Sequence, residues 1–424
     1  MRELVHLLKK LVMRALLLPL RLFPVRRNRV VLNNGLSHNY SDNPKAVAEF
    51  LCRSYPGCFE IFFAVRDVEK HRFLREKGIQ PVRFRSLRYF YCAMTAAVYL
   101  TNNGGYSYFP SRKGRLVIDT WHGGGAYKKC GLWGYKYPKI GRAEMKLAAS
   151  NLDLFLSTSV YTSEVFAESF LIPRRLFWEI GMPRNDSLLH PDAILRKEVR
   201  ERLGLSEGER LALFAPTFRR LGGVCTEEPA AVSYGMDRAC LCGALERRFG
   251  GTWRLAFRFH PEIKRREESP MLGVLDVSGY DDMQELLCAA DVLVTDFSSS
   301  MWDFMLTGRP CFLFALDFER YLQTTEVYTP VSEWPFPKAS SLEELEQSIL
   351  NFSMKDYKEA CVRHYRELGG CETGRAARLV GERIYEHVFS CGAGTEENPR
   401  IQGQRRARKN VTGKRAELWL QREK

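Results

Sequence analysis

From about residue 29 to residue 390, short apolar runs alternate with amphipathic stretches, and the whole alternation is made twice. Residues 29–32 (RVVL), 60–65 (EIFFAV), 82–84, 98–101 (VYLT), 116–120, 153–157 and 176–180 read as strands. Residues 44–54, 68–77 and 89–97 read as helices between them, with Asn43 as a candidate N-cap and Pro44 in the first turn. The pattern then restarts, with strands at 210–215, 253–259, 274–277, 292–295 and 311–314. Helices are expected at 193–203, 236–249, 282–289, 299–306, 342–353, 355–368 and 374–389. Strands that take turns with helices build mainly parallel sheets, because a parallel neighbour needs a crossover long enough to return over the sheet face. The expected fold class is α/β, with two Rossmann-like domains facing across a cleft and an N-terminal amphipathic helix. The expected boundaries are 1–28, 29–190, 191–372, 373–390 as a closing helix, and 391–424 as a basic, disordered tail.

Charge is concentrated at the ends. The chain carries a formal +14, of which residues 1–29 supply about +7 and residues 391–424 about +5, leaving a nearly neutral body. In the first segment, MRELVHLLKKLVMRALLLPLRLF, Leu4, Leu7, Leu8, Leu11 and Val12 recur at helical spacing. Lys9, Lys10, Arg14 and Arg21 lie largely off that stripe. The charges break any run of about 20 apolar residues, so no membrane span is expected, and no signal peptide is legible. A basic amphipathic helix lying on an anionic membrane surface is the expectation, and packing of the stripe on the protein's own core is the alternative. Twelve cysteines are scattered without a CxxC pair, which reads as reduced thiols in a cytosolic protein. No interleaved aromatic and basic platform marks a nucleic-acid partner.

Ligands of parallel sheets bind beyond the carboxyl ends of the strands, so the residues there are the candidates. One such end carries DTWHGGG, with His122 and Gly123. A second, LFAPTFR, carries Thr217 and Arg219. A third, RFHPEIK, carries His260, and a fourth, LVTDFSSS, carries Asp296, Ser298, Ser299 and Ser300. Serines that open a helix after a strand offer hydroxyls and free N–H groups to a phosphate, and they are also ordinary N-caps. Taken together, histidine, arginine and a serine-rich helix start suit a diphosphate. There is no GxxxxGK[ST], no GxGxxG after the first strand, and no Asp-x-Asp at a strand end. Leaving-group stabilisation by positive charge and backbone dipoles is expected, without a metal.

Several blocks then align in order: YSDNPK (40–45), DTWHG (119–123), KKxG (128–131), GMPRND (181–186), APTFR (215–219), His260-Pro261, DVLVTDFSSSMWD (291–303), Pro310 and DxExY (317–321). Over roughly residues 30–385 the chain resembles the CDP-glycerol glycerophosphotransferases, the teichoic-acid primases and polymerases. The resemblance implies a GT-B-like fold, with an acceptor-side first domain and a CDP-donor-binding second domain. It implies peripheral attachment to the cytoplasmic face of the cell membrane. It also implies transfer of glycerol phosphate from a CDP-linked donor to a hydroxyl of a lipid-linked or glycan acceptor, with CMP leaving and no cofactor or metal.

On this resemblance His122 is the general base and His260 the second catalytic histidine. Ser298, Ser299 and Ser300 hold the diphosphate, with Thr217 and Arg219 nearby. Gly123, Glu179, Asp186, Asp296 and Asp303 are further cleft candidates, Asp303 as a group that orients the serine helix. Gly124-Gly125 replaces the usual Thr-Pro, Phe297 replaces Tyr and Phe218 replaces Trp; the Gly124-Gly125 departure lies beside the expected base, which leaves acceptor identity and loop closure open. The compact body, without added domains, does not imply a long processive polymer. A CDP-ribitol donor and a nucleotide-sugar glycosyltransferase remain as alternatives, and oligomeric state is not legible.

Overall fold

The computed structural model describes residues 2–125, 127–190, 192–217, 220–221, 224–225, 235–259 and 273–389. The expected tail at 391–424 lies outside them. The chain divides into two compact units, one running to Asp186 and resuming at Leu368, the other spanning Ser187–Glu367. The divisions therefore fall at 186/187 and 367/368 rather than at 190/191 and 372/373, and the helix expected to close the chain belongs to the first unit.

The first unit holds β1 (Arg26–Asn33), β2 (Glu60–Val65), β3 (Ile79–Arg83), β4 (Ala96–Thr101), β5 (Leu116–Asp119), β6 (Leu154–Ser157) and β7 (Phe177–Glu179). They form one parallel sheet in the order β3-β2-β1-β4-β5-β6-β7. Strand order reverses between β1 and β4, where Val30 lies beside Val98 and Leu32 beside Leu100. Its helices are α1 (Arg2–Leu17), α2 (Asp42–Ser54), α3 (Leu87–Thr95), α4 (Pro138–Ala149) and α5 (Val160–Phe170).

The second unit holds α6 (Ala193–Arg202), β8 (Arg210–Ala215), a short antiparallel pair β9 (Arg220–Leu221) and β10 (Val224–Cys225), α7 (Arg238–Phe249), β11 (Trp253–Phe257), β12 (Leu275–Asp276) and α8 (Met283–Ala289). It continues with β13 (Val292–Thr295), α9 (Ser300–Met305), β14 (Cys311–Phe314), β15 (Lys338–Ala339), α10 (Leu342–Leu350) and α11 (Met354–Glu367). Its parallel sheet runs β12-β11-β8-β13-β14-β15. Asp291 ties this sheet to α6, accepting from Arg196 at 2.6 Å, Arg200 at 3.1 Å and the Leu211 amide at 2.8 Å. The returning chain then adds α12 (Ala376–Phe389) to the first unit.

Burial explains why α12 belongs there. Val380, Ile384 and Val388 join Val30, Leu32, Val47, Leu51 and Phe63 in one apolar cluster under α2. Each such side chain contributes about 1.5–3 kcal/mol when fully buried. Gly381 lets α12 approach α2 closely, since a Cβ there would strike the Phe50 ring. Asp186 accepts from the amides of Ala376 at 2.9 Å and Ala377 at 2.8 Å, satisfying two donors of the first α12 turn. Glu372 secures the turn before Asp186, accepting from the Met182 amide at 3.0 Å and from Asn185 Nδ2 at 2.8 Å.

Local expectations fail at three places. Residues 68–77 form only a 3-10 turn, Arg72–Arg75. The Asp67 carboxylate accepts from the amides of Glu69 and Lys70 as an N-cap would, but the bonds that follow, from the His71 amide to the Val68 carbonyl and from the Arg72 amide to the Glu69 carbonyl, close tighter i→i+3 turns. Asn43 is not an N-cap, because α2 begins one residue earlier and Ser41 holds the cap position without a side-chain bond. Two helices, α4 and α5, lie where no helix is expected. α4 buries only Gly141 and Glu144, and α5 relies on Ser159, whose Oγ accepts from the Thr162 amide at 3.0 Å.

The N-terminal helix is turned opposite to the usual arrangement of a surface helix. Lys10 is buried and pairs with buried Glu144, to which His6 Nδ1 also lies at 3.0 Å. Glu3 accepts from the amides of Lys136 at 2.7 Å and Tyr137 at 3.1 Å. The polar side chains thus face the unit, while Leu4, Val5, Leu8, Leu11, Val12 and Leu16 are exposed. Beyond α1, Leu22 (89 % exposed) and Phe23 extend the apolar surface, with the backbone held by Arg112 donating to Leu20 O at 3.0 Å. No described helix is long and apolar enough to cross a membrane.

Two stability predictions follow from the α12 junction. Gly381→Ala, although favourable to helix propensity by about 1 kcal/mol, is expected to lower stability by about 1–3 kcal/mol through overpacking against Phe50, read as a fall in Tm. Burial raises the Asp186 carboxyl to about 6 from an ordinary 3.8, against the two amides that favour the anion. The native state therefore prefers the protonated form, and this contribution is present below about pH 4 and lost as pH rises toward about 6. The stability difference between wild type and Asp186→Asn should shrink across that window in chemical unfolding at stepped pH, then level off.

Candidate active-site elements at the strand ends

In the first unit the strand-order reversal is spanned by a set of side-chain amides. The Gly35 amide after β1 donates to Asn102 Oδ1 at 2.8 Å, and Asn102 Nδ2 donates to Asn34 Oδ1 at 3.0 Å. The Asn102 carbonyl, just past β4, accepts from His122 Nδ1 at 2.9 Å. A carbonyl only accepts, so Nδ1 carries the proton and Nε2 keeps its lone pair. Burial is the largest influence on this half-buried ring and lowers its pKa. The Asn102 carbonyl and Asp42 oppose that, and Arg184 adds to it, with a net result below the usual histidine range. His122 is therefore neutral at pH 7, with Nε2 competent to take a proton.

The loop that carries it is strained. Trp121 has φ 55°, a left-handed conformation costly for a bulky residue, and Gly125 has φ 67°. Asp119 answers part of this strain, because its Oδ1 accepts from the Trp121 amide at 2.9 Å and its Oδ2 from the Gly104 amide at 3.2 Å. Burial raises Asp119 to about 6, while those amides and Tyr106 pull it down. The Trp121 ring lies 4.1 Å from His122, centroid to centroid, and meets Phe166 at 5.4 Å and Phe170 at 5.1 Å. Gly123 and Gly124, which follow, are buried.

Glu179 and Asp186, expected as cleft candidates, are committed to structural partners. Glu179 pairs with Arg174, and Asp186 holds the start of α12. What sequence reading missed is the set Asp42, Asn43 and Arg184. Asn43 Nδ2 donates to the Trp121 carbonyl at 3.0 Å and Arg184 Nη1 to the His122 carbonyl at 2.7 Å. Their signal was visible as the blocks YSDNPK and GMPRND, but nothing in spacing says that two segments some 140 residues apart meet one loop.

In the second unit, the end of β13 and the residues after β8 are joined. Asp296 Oδ1 accepts from the Thr217 amide and from Thr217 Oγ1, both at 2.8 Å, and Thr295 Oγ1 donates to Ala215 O at 2.7 Å. Asp296 is 1 % exposed, so it anchors Thr217 from inside rather than lining an open site. Ser300 is buried and donates to Ser298 Oγ at 2.9 Å. Ser298 and Ser299 are half-buried, and Ser299 makes no side-chain capping bond. α9 is only six residues long, so its dipole is a weak source of anion attraction. Asp303 is buried and accepts from Gln284 Nε2 at 3.2 Å, which fixes α9 against α8. His260 and Arg219 lie outside the described residues. Among the described residues no group of three His, Cys, Asp or Glu side chains is gathered as a metal site would need.

The chain is similar in sequence and in fold to known proteins. The chain is 24% identical over 383 residues to a teichoic acid poly(glycerol phosphate) polymerase of Staphylococcus epidermidis, covering 86% of this chain and 51% of that one. It thus spans about half the length of that relative. It is 24% identical to a teichoic acid glycerol-phosphate transferase of Staphylococcus aureus, covering 85% of this chain and 93% of that one. The solved wall teichoic acid polymerase TagF has a similar fold, with a TM-score of 0.75, 24% identity, and coverage of 92% of this chain and 98% of that one. Residues 15–389 match the family described as CDP-Glycerol:Poly(glycerophosphate) glycerophosphotransferase, and the chain belongs to that family.

Proposed function

We propose that the chain transfers a polyol phosphate, glycerol phosphate first, from a CDP-linked donor to a hydroxyl of a lipid-linked or glycan acceptor in teichoic-acid-like polymer synthesis. The observation that carries this reading is the His122 tautomer. A neutral ring with Nδ1 donating to the Asn102 carbonyl leaves Nε2 as the base, in a chain of the glycerophosphotransferase family. The acceptor oxygen attacks the donor's β-phosphorus as His122 Nε2 takes its proton. The new O–P bond forms while the bond to the bridging oxygen breaks, and that oxygen leaves with CMP. Ser298, Ser299, Thr217, Arg219 and His260 are assigned to the diphosphate and the departing CMP, with no metal required. Hydroxyl, amide and cationic donors stabilise the charge that develops on the leaving group.

The exposed leucines of α1 support docking on an anionic membrane surface, with Arg21, Arg26 and Arg27 nearby in the chain to meet headgroups. Cytoplasmic-face attachment places the chain where a soluble CDP-linked donor and a lipid-linked acceptor meet.

Two experiments test these assignments. Purified protein is supplied with CDP-glycerol, CDP-ribitol or a nucleotide sugar plus membrane lipid extract, with chelator in every arm, and free nucleotide is measured. CMP release from CDP-glycerol is expected, with a loss of roughly 100-fold or more in His122→Ala. Release from a nucleotide sugar alone, or an unimpaired His122→Ala, overturns the reading, and activity restored only by magnesium overturns its metal-free part. Replacing Leu8, Leu11 and Leu16 together by Gln is expected to lower partition onto anionic liposomes by about tenfold or more, in a flotation assay. Unchanged partition removes α1 from the docking surface.

A further inference from the structure

The residues YSDNPK and GMPRND take no part in the transfer as proposed, yet the structure brings them to the His122 loop. Asp42 has φ 66° and opens α2. Arg184 lies in the 3-10 turn Pro183–Asn185 and is only 6 % exposed. Its Nη1 donates to both Asp42 carboxylate oxygens, at 3.0 and 3.1 Å, and to the His122 carbonyl at 2.7 Å. Asn43, fully buried, accepts from the Arg184 amide at 3.1 Å through Oδ1 and donates to the Trp121 carbonyl at 3.0 Å through Nδ2. The bonds close a ring. One side chain joins the Trp121 carbonyl to the Arg184 backbone, and the Arg184 guanidinium joins the His122 carbonyl back to the residue beside Asn43. Two successive carbonyls of a strained loop are gripped from two remote segments.

We propose that Asp42, Asn43 and Arg184 form a clasp that fixes the Trp121–His122 backbone and sets the charge around the imidazole, making them positioning residues for proton transfer at His122. The proposal rests on the reading of His122 as the base. Geometry supports it twice. Trp121 would leave its left-handed conformation without external restraint, and rotation of that peptide would swing the imidazole away from the Asn102 carbonyl that sets its tautomer. The clasp is itself held from behind, because Glu372 accepts from the Met182 amide and Asn185 Nδ2 on either side of Arg184.

The charged groups that face the loop are Asp42 from α2, Arg184 from the 3-10 turn, and buried Asp119 at the end of β5, with Glu372 behind the turn. Apart from burial and the Asn102 carbonyl, Asp42 pushes the imidazole pKa up and Arg184 pushes it down. The two halves of one ion pair thus act on His122 with opposite sign. The opposite signs can be measured.

The test uses the full chain with labelled histidine. The His122 resonance, assigned by its loss in His122→Ala, is titrated by NMR without substrate, and kcat for CMP release is followed against pH in parallel. In Asp42→Asn the His122 midpoint and the acid limb of kcat should move to lower pH. In Arg184→Gln both should move to higher pH, and in Arg184→Lys, which keeps the charge, they should return toward wild type. Plateau kcat should fall roughly 10- to 100-fold in Arg184→Gln, with the donor KM within about twofold, as expected for a misplaced catalytic group. Midpoints that stay put, or move the same way in Asp42→Asn and Arg184→Gln, overturn the clasp. If Arg184→Gln does not fold, Asp42→Asn alone decides, since its midpoint must fall. The NMR titration needs no substrate. Opposite shifts in a protein inert toward every CDP-linked donor would therefore sink the functional reading and leave the clasp standing, while the reverse result would sink the clasp alone.

Discussion

The bond from His122 Nδ1 to the Asn102 carbonyl is the interaction on which the orientation of the His122 ring depends. It joins the loops that follow two neighbouring strands, β4 and β5, beside the point where strand order reverses. Asn102 is itself fastened to Asn34 and Gly35 across that point. Parallel sheets leave such a crevice because neighbouring strands there send their connections to opposite faces. The histidine is thus oriented by backbone that the sheet register already fixes, and its tautomer follows without a carboxylate partner.

Buried carboxylates around the strand ends do structural work. Asp119 holds the Trp121 amide, Asp296 holds Thr217, Asp303 holds α9 against α8, and Asp186 starts α12. Each accepts from an amide or side-chain donor that would otherwise be left unsatisfied near a strand end. The departure at Gly124-Gly125 also takes on a physical meaning. A proline at position 125 would need φ near −65°, whereas Gly125 stands at 67°, so this loop follows a path closed to the Thr-Pro form.

The N-terminal helix shows how one buried ion pair orients a whole apolar surface. Once Lys10 and His6 meet Glu144, the leucines have no side left but the outer one. A cation of this kind is costly to desolvate unless paired, so the pairing dictates which face turns inward.

Alternating strand and helix patterns were enough to determine two parallel α/β units, because periodicity reports local burial and parallel strands require crossovers. The short motifs holding His122, Thr217 and the serines fell at strand ends for the same reason, since the strands they follow are set by the same periodicity. Other features were decided only by tertiary structure. Residues 68–77 closed only a 3-10 turn although Asp67 caps their start, and α12 joined the first unit because its apolar face completes a core begun some 350 residues earlier. Asn43 read as a cap and became a loop restraint, while Lys10 read as part of the basic face of a membrane-surface helix and became buried against Glu144. Periodicity encodes which face is apolar, whereas the partner that meets a polar side chain is set by contacts between segments far apart in the chain, and no local pattern records those.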